Sequence, residues 1–197
     1  MKTEYEEKVF EFFTKEQNFS AAARIADQLG EIALELVKNF WHDLANKLDK
    51  VKDPWGDGWR IKMTEKYEQR YSGLEVTHRD WMIGSDALVA IRFEDLHYTR
   101  YPYIGFWINR DLEVKVSYNN IYDEIRALNE LKEYEHDSHQ WWMKWKRLSY
   151  IGFDTYQKLE GIIPANRSDT IDRCISEVVT LKDLATDQIT EIVGKYS

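Results

Sequence analysis

The chain has 197 residues and a net charge of −8, from 27 Lys and Arg against 35 Asp and Glu. Its length fits one domain, 1–197, and its 43% hydrophobic residues suffice for a core, which excludes global disorder. A single cysteine excludes a disulfide framework and fits a reducing compartment. The sequence shows no apolar run of the ~20 residues that a membrane span needs and no signal-peptide core. We therefore expect a soluble, cytoplasmic protein without a membrane partner.

The first segment, 1–52, has the periodicity of helices. A short helix would carry Val9, Phe10, Phe12 and Phe13, and a polar break at 18–20 would follow, with Ser20 as the next N-cap. In the second helix apolar residues recur every three or four positions, which places them on one face. They are Leu29, Ile32, Leu36, Phe40, Leu44 and Leu48. The proline and glycines of 53–59 end this helix.

The middle segment, 53–118, changes to the periodicity of strands. Strands are predicted at 59–63, 74–77, 88–93, 103–108 and 112–116. A short loop at 109–111 would join the last two as a hairpin. Because no connection between these strands has the dozen residues of a parallel crossover, the sheet should be antiparallel.

The last segment, 119–197, returns to helical periodicity. Ile121, Ile125, Leu128 and Leu131 form one stripe, a second helix would follow 138–142, and a long helix would run from 169 to 194. Cys174 lies on or beside the stripe of that last helix, which predicts a buried, unreactive thiol. The predicted fold class is α+β, with a central antiparallel sheet flanked by long N- and C-terminal helices.

Charge and aromatic content constrain the partners. The acidic balance disfavours non-specific nucleic-acid binding, because that binding depends on neutralising phosphates. Aromatic residues make up 14% of the chain, either as core or as a recognition surface, since Trp, Tyr and Arg are enriched in interface hot spots. A protein partner is therefore expected, and the oligomeric state is left open.

Two segments are candidates for a binding surface. In the first, aromatic and basic residues alternate on a predicted helix, with Trp141 and Trp145 packed under the sheet and the basic side chains forming a contact patch that nucleic acid could also use. Its residues are Trp141, Trp142, Lys144, Trp145, Lys146 and Arg147. The second candidate is His78 with Arg79, close to a turn at a sheet edge.

Catalytic signals are few, and no catalytic residue or cofactor is favoured. Glu113 and Lys115 would share one strand face, and with Asp95 they could form the Mg²⁺ site of a nuclease, although a solvated strand face explains them better. His136 and His139 could ligate a metal on a helix, but the flanking Asp137-Ser138 reads as an N-cap. Phosphate-loop, dinucleotide and serine-hydrolase motifs are absent from the sequence.

A family resemblance rests on the order of four segments before a terminal amphipathic helix: GDGWRIKM, ALVAIRF, YPYIGFWIN and HQWWMKWKRLSYIGF. Over about 55–195 the chain resembles the C-terminal region of some PD-(D/E)XK nuclease superfamily proteins of bacteria and their phages. In those proteins this region follows the nuclease core, and the catalytic residues lie upstream. About fifty helical residues stand there in this chain, so the resemblance carries over no catalytic residue and implies an accessory or recognition module.

These observations predict a non-catalytic binding module that acts through protein or nucleoprotein contacts. The resemblance adds phage or mobile-element biology, including interference with a defence system, as an expectation. One alternative is a small Mg²⁺-dependent nuclease of the PD-(D/E)XK type using Asp95, Glu113 and Lys115. A third is a sensor of a small ligand, with a pocket lined by four side chains: Trp107, Tyr103, His78 and Arg92.

Overall fold

The N-terminal part of the chain is two helices joined by a tight turn. The computed structural model describes residues 3–64, 71–96, 101–135, 141–152 and 158–197. Helix α1 spans Glu4–Phe13, and its start is closed by a capping box between Thr3 and Glu6. Helix α2 spans Glu16–Val51. The predicted break at 18–20 is therefore misplaced, and Ser20 is a helical residue, not a cap.

The main sheet has five antiparallel strands in the order β1-β2-β5-β6-β7. The strands are β1 (Trp59–Met63), β2 (Gly73–His78), β3 (Met82–Ile83), β4 (Asp86–Ala87), β5 (Val89–Glu94), β6 (Tyr103–Ile108) and β7 (Trp142–Arg147). Strands β3 and β4 form a separate short hairpin between β2 and β5. The four strands predicted between 59 and 108 are confirmed. Each of them pairs antiparallel with the next one, so short connections are long enough to join them.

The prediction for the fifth strand is wrong. The segment 112–116 is irregular, and its amides at Val114 and Val116 donate to the carbonyls of Leu112 and Val114, two residues back. Strand β7 instead pairs with the free edge of β6, in a segment that was predicted to be helical. Aromatic residues suit a strand as well as a helix, so the pattern of 141–147 did not decide between them. The predicted division into a sheet at 53–118 and helices at 119–197 is therefore corrected: the sheet also takes in 142–147, between the C-terminal helices.

The C-terminal part contains helix α3 (Tyr118–Arg126) and helix α4 (Arg167–Tyr196). Helix α4 confirms the predicted terminal helix but starts after Asn166. Cys174 is fully buried on it, and this burial raises the pKa of the thiol to about 12, which keeps the sulfur protonated and unreactive. The predicted α+β class, with long terminal helices flanking an antiparallel sheet, is confirmed.

The core lies between one face of the sheet and helices α2, α3 and α4. Ile104 and Phe106 are fully buried there, as predicted, whereas Ile175 is only partly buried. In α2 the buried stripe is Ala33, Val37, Phe40, Trp41, Leu44 and Leu48, and the predicted member Ile32 is 53% exposed. On the opposite face of the sheet Ala87, Ala90, Trp107 and Trp142 form a second, smaller apolar cluster.

Candidate binding surfaces

The aromatic and basic segment 141–147 does not form the predicted helical patch. The segment 141–147 lies at the start of and within strand β7. Its Trp142 and Lys144 are buried and its Arg147 alone is exposed, while three side chains are half-buried: Trp141, Trp145 and Lys146. Lys146 is engaged within the protein, because its Nζ lies 2.5 Å from Glu177 Oε2 and 5.2 Å from the centre of the Tyr134 ring. The segment is therefore mainly part of the packed structure, and Arg147 is its one exposed cation.

Lys144 faces the helices, because it pairs across the sheet with Phe106 of the core. It is 4% exposed. Burial lowers the pKa of Lys144, and the nearby positive charge of Arg126 lowers it further. This lysine belongs to the contact between α3 and β7 and is not available as a rim cation.

A network of charged side chains is buried on the sheet face opposite the helices. The guanidinium of Arg92 donates from Nη1 to Glu75 Oε1 at 2.7 Å and from Nη2 to the carbonyl of Tyr71 at 2.7 Å. Its Nε lies 3.1 Å from Glu94 Oε2, as an ion pair without hydrogen-bond alignment. The hydroxyl of Tyr103 donates to Glu94 Oε1 at 2.5 Å. Burial, opposed by Arg92 and Tyr103, raises the pKa of Glu94.

Aromatic rings pack around this network. The Arg92 guanidinium lies 4.5 Å from the centre of the Trp107 ring, which stacks on Trp141 at 6.0 Å with an interplanar angle of 17°. Tyr103 packs edge-on against Trp142 at 4.8 Å and Trp145 at 5.5 Å. Three side chains of the predicted sensor pocket, those of Arg92, Tyr103 and Trp107, therefore do lie together. The polar atoms of Arg92 and Tyr103 are engaged with protein groups, because Arg92 contacts Glu75, Glu94 and the carbonyl of Tyr71, and Tyr103 donates to Glu94.

His78 lies elsewhere, with the residues of the helix side. Its ring packs 5.2 Å from Trp59 and 6.3 Å from Trp81, and its Nε2 lies 3.1 Å from the carbonyl oxygen of Asp57. A Cβ at Gly58, whose φ is +108°, would come within 2.8 Å of that Nε2. These contacts assign His78 to holding the turn before β1, while the neighbouring Arg79 is exposed.

The nuclease alternative grouped Asp95, Glu113 and Lys115 because a strand was predicted at 112–116, and the structure does not contain that strand. Glu113 and Lys115 are exposed on the irregular segment 112–116 and share no strand face. Asp95 follows β5 with a φ of 60°. Among the residues that the structure describes, no three His, Cys, Asp or Glu side chains are grouped to hold a metal ion. His136 and His139 lie outside the described residues.

Among the described residues, most of the exposed large apolar side chains lie on α1 and the first half of α2, segments that the sequence pattern assigned to helices but to no function. We call it the N-terminal surface and define it by seven exposed side chains: Tyr5, Phe10, Phe12, Phe13, Phe19, Ile25 and Ile32. Helix α1 contributes no buried residue. Such a concentration of exposed large apolar side chains occurs nowhere else in the described parts of the chain, where Tyr71 and Tyr101 are the other two.

Helix α2 shows why this surface is exposed. Phe19, Ala22, Ala26 and Leu29 follow the spacing of three and four that continues into Ala33 and the buried half of the helix. From Ala33 onward this stripe packs against the core, whereas no residue of 18–32 is fully buried and the stripe there is exposed or half-buried. The sequence contained the signal in its four phenylalanines between 10 and 19. Periodicity could not tell which half of the stripe has a neighbour to pack against.

Comparison with known proteins gives no relative: no protein family, no curated protein and no solved structure matches the chain. Within the described residues, no helix combines the length and the low polarity that crossing a membrane requires.

Proposed function

We propose that the protein is a non-catalytic binding module that acts through contacts with another protein, and that the N-terminal surface is where it binds. One observation carries the proposal: seven of the nine exposed large apolar side chains among the described residues belong to two consecutive helices, α1 and the first half of α2. Single exposed apolar residues are common on soluble proteins, but a concentrated set marks an interaction site.

The size of the surface agrees with such a role. A buried Phe or Tyr removes ~150–250 Å² from water, and the five aromatic side chains of this surface are between 42% and 76% exposed. Together with Ile25 and Ile32 they present on the order of 600–800 Å². That is close to the ~800 Å² that each partner contributes to a standard protein interface.

The rest of the molecule supports the same proposal. Most tryptophans are engaged in the core or around Arg92, so the aromatic content is largely structural away from the N-terminal helices. The resemblance to the accessory region of PD-(D/E)XK nuclease superfamily proteins favours a recognition role as well, and the connection to phages, mobile elements and their interference with defence systems rests on that resemblance alone. The net charge of −8 favours a protein over a nucleoprotein target.

Affinity capture from the native host tests the proposal. The bait is the full chain, compared with the double variant Phe12→Ser, Phe19→Ser, which removes two rings from the surface without touching the core. Tyr71→Asn is the matched control, because Tyr71 is 57% exposed on another part of the molecule and Asn tolerates its φ of 70°. Quantitative mass spectrometry should show proteins that the wild type and the control retain and the double variant loses. Equal recovery with all three baits contradicts the proposal.

A further inference from the structure

Lys144 is a buried cation whose charge the described part of the chain does not pair. It is 4% exposed, and no described residue accepts a hydrogen bond from its Nζ or forms an ion pair with it. An ammonium group has three donors, and a buried charge is normally paired because leaving water without a compensating partner is costly. Such a group departs from the rules of core packing, and departures of this kind concentrate at functional sites.

The tip of Lys144 is nevertheless in contact with solvent. Among the described residues, Arg92 Nε is the one side-chain nitrogen that is both closed off from solvent and without a hydrogen bond. Because Lys144 Nζ also has no hydrogen bond with a described residue, its difference from Arg92 Nε is that it still reaches solvent. A buried stem with an accessible tip describes a recess that has an ammonium group at its floor.

Two arginines add positive charge near this lysine. The charge of Arg126 is close enough to assist burial in lowering the pKa of Lys144, and no carboxylate of the described residues opposes that lowering. The Arg126 guanidinium lies 5.1 Å from the centre of the Tyr122 ring, and that of Arg110 lies 5.3 Å from the same centre. Arg110 also donates from Nη1 to Asn119 Oδ1 at 3.1 Å. Because Tyr122 is buried, both guanidinium groups lie against a fixed ring.

The acidic residues of α3 do not pair with Lys144. Glu124 is engaged with Lys195 at 2.6 Å, and Asp123 is exposed. The corner between α3 and β7 is therefore a place in an acidic chain where cations gather around a buried ammonium group.

We infer that Lys144 is the floor of an anion-binding site, with Arg126 and Arg110 beside it, and that its ligand is the phosphate group of a small molecule. Phosphate oxygens supply the acceptors that Lys144 lacks, and guanidinium groups match their geometry while an ammonium group adds a point charge. The net charge of −8 opposes polyanions such as nucleic acid, which favours a small ligand. This site is separate from the N-terminal surface and goes beyond the proposed function.

The experiment follows thermal unfolding of the full chain in inorganic phosphate, chloride and acetate at one pH and one ionic strength. Equal ionic strength keeps general screening constant, so a difference between the anions reports specific binding. We expect phosphate alone to raise Tm, in a saturable way and by about 3 °C or more once its concentration exceeds the Kd tenfold. Isothermal titration calorimetry with phosphate then gives the Kd itself.

Three variants locate the site. Lys144→Met keeps the apolar stem and removes the ammonium group, so it should abolish the effect of phosphate on Tm. Arg126→Gln changes a half-buried residue and should raise the Kd for phosphate at least tenfold. Lys62→Met is the matched control, because the Lys62 side chain is 69% exposed on another strand, and it should bind phosphate as the wild type does.

Several results would overturn the inference. The same Tm in phosphate and in chloride means that the corner does not bind phosphate, and a phosphate effect that survives Lys144→Met places the binding elsewhere. Acetate as effective as phosphate overturns the assignment to a phosphate group. Affinity capture through Phe12 and Phe19 does not involve Lys144, so the proposed function and this inference can each fail without the other.

Discussion

In the central strands β5 and β6 nearly every residue on both faces of the sheet is buried, yet the two faces are built from different chemistry. Toward the helices, β5 and β6 present Val89, Ile91, Phe93, Ile104 and Phe106, all fully buried and all apolar. The alternate residues of the same strands present Arg92 and Glu94 among aromatic rings on the other face. The apolar face tolerates any close-packed arrangement of similar volume, whereas the charged face is satisfied at one strand register. Burial alone therefore does not reveal how strictly a face is specified.

The largest loss of stability is expected at Gly105, where the backbone of β6 lies too close to that of β7 for any side chain. A Cβ there would lie 2.0 Å from the carbonyl oxygen of Lys144 and 2.5 Å from the Cα of Trp145, and these backbone atoms cannot rotate away. Gly105→Ala should separate β7 from β6 and cost more than about 4 kcal/mol, or prevent folding. The free energy of unfolding in urea measures this cost.

Gly30→Ala is the control, because its new Cβ meets open space in the middle of a helix. It should stabilise the protein by about 0.5–1 kcal/mol. A small effect of Gly105→Ala would show that β6 and β7 are not paired in this register.

The charged face is tested by Arg92→Met. Removing the guanidinium leaves Glu94 buried at 3% exposure without its ion pair, which should cost about 3–5 kcal/mol. The double variant Arg92→Met, Glu94→Gln removes both charges and should recover part of that loss. If the double variant is as unstable as the sum of the two single ones, the ion pair is not the reason for the cost.

The apolar face is tested by Phe106→Ala, which leaves a cavity in the centre of the core. The expected cost is about 3–5 kcal/mol, similar to that of Arg92→Met. The two faces should differ in what rescues them. Phe106→Leu fills most of the volume and should recover most of the stability. Arg92→Lys keeps the charge, but its donors sit on a single nitrogen and cannot replace the separate nitrogens that bond Glu75 and the Tyr71 carbonyl, so it should recover little. Equal rescue by both conservative changes would remove the distinction between the faces. Thermal unfolding followed by circular dichroism compares all four variants.

The smallest expected effect is a pH dependence from Lys144, the one buried cation on the apolar side among the described residues. Because its pKa is lowered from the usual 10.5, the folded state binds fewer protons than the unfolded state just below that pH. The free energy of unfolding should therefore gain from this group as pH rises toward 10.5. Lys144→Met should flatten that part of the pH profile relative to the wild type, whereas Lys62→Met, at a lysine whose side chain is 69% exposed, should not.

The sequence predicted most of the fold and little of the proposed binding surface. The predictions of β1, β5 and α4 were correct because each sequence pattern fits a single periodicity: alternation at 59–63 and 88–93, and a long helical stripe in α4. The segments 112–116 and 141–147 could each have filled the place beside β6, and tertiary pairing, which local pattern does not contain, selected the second. Ion pairs such as Arg92 with Glu94 and the exposure of Phe12 and Phe19 depend on which elements meet in space, so spacing along the chain could not reveal them.

The length of helix α2 and its anchoring at one end affect how fast a partner could bind. At 1.5 Å per residue its 36 residues extend about 54 Å, and Val37, Phe40 and Leu44 anchor one half of it in the core. The exposed first half of α2 continues the anchored half and therefore avoids the nucleation step of an isolated helix. Under the proposed function a partner would bind a helix that is already formed, so the association rate constant should lie in the ordinary ~10⁵–10⁷ M⁻¹s⁻¹ range and should not be limited by helix folding. Amide hydrogen exchange along α2 should become steadily faster from Leu44 toward Phe19 in the free protein. This gradient should flatten when a partner binds the N-terminal half of the helix.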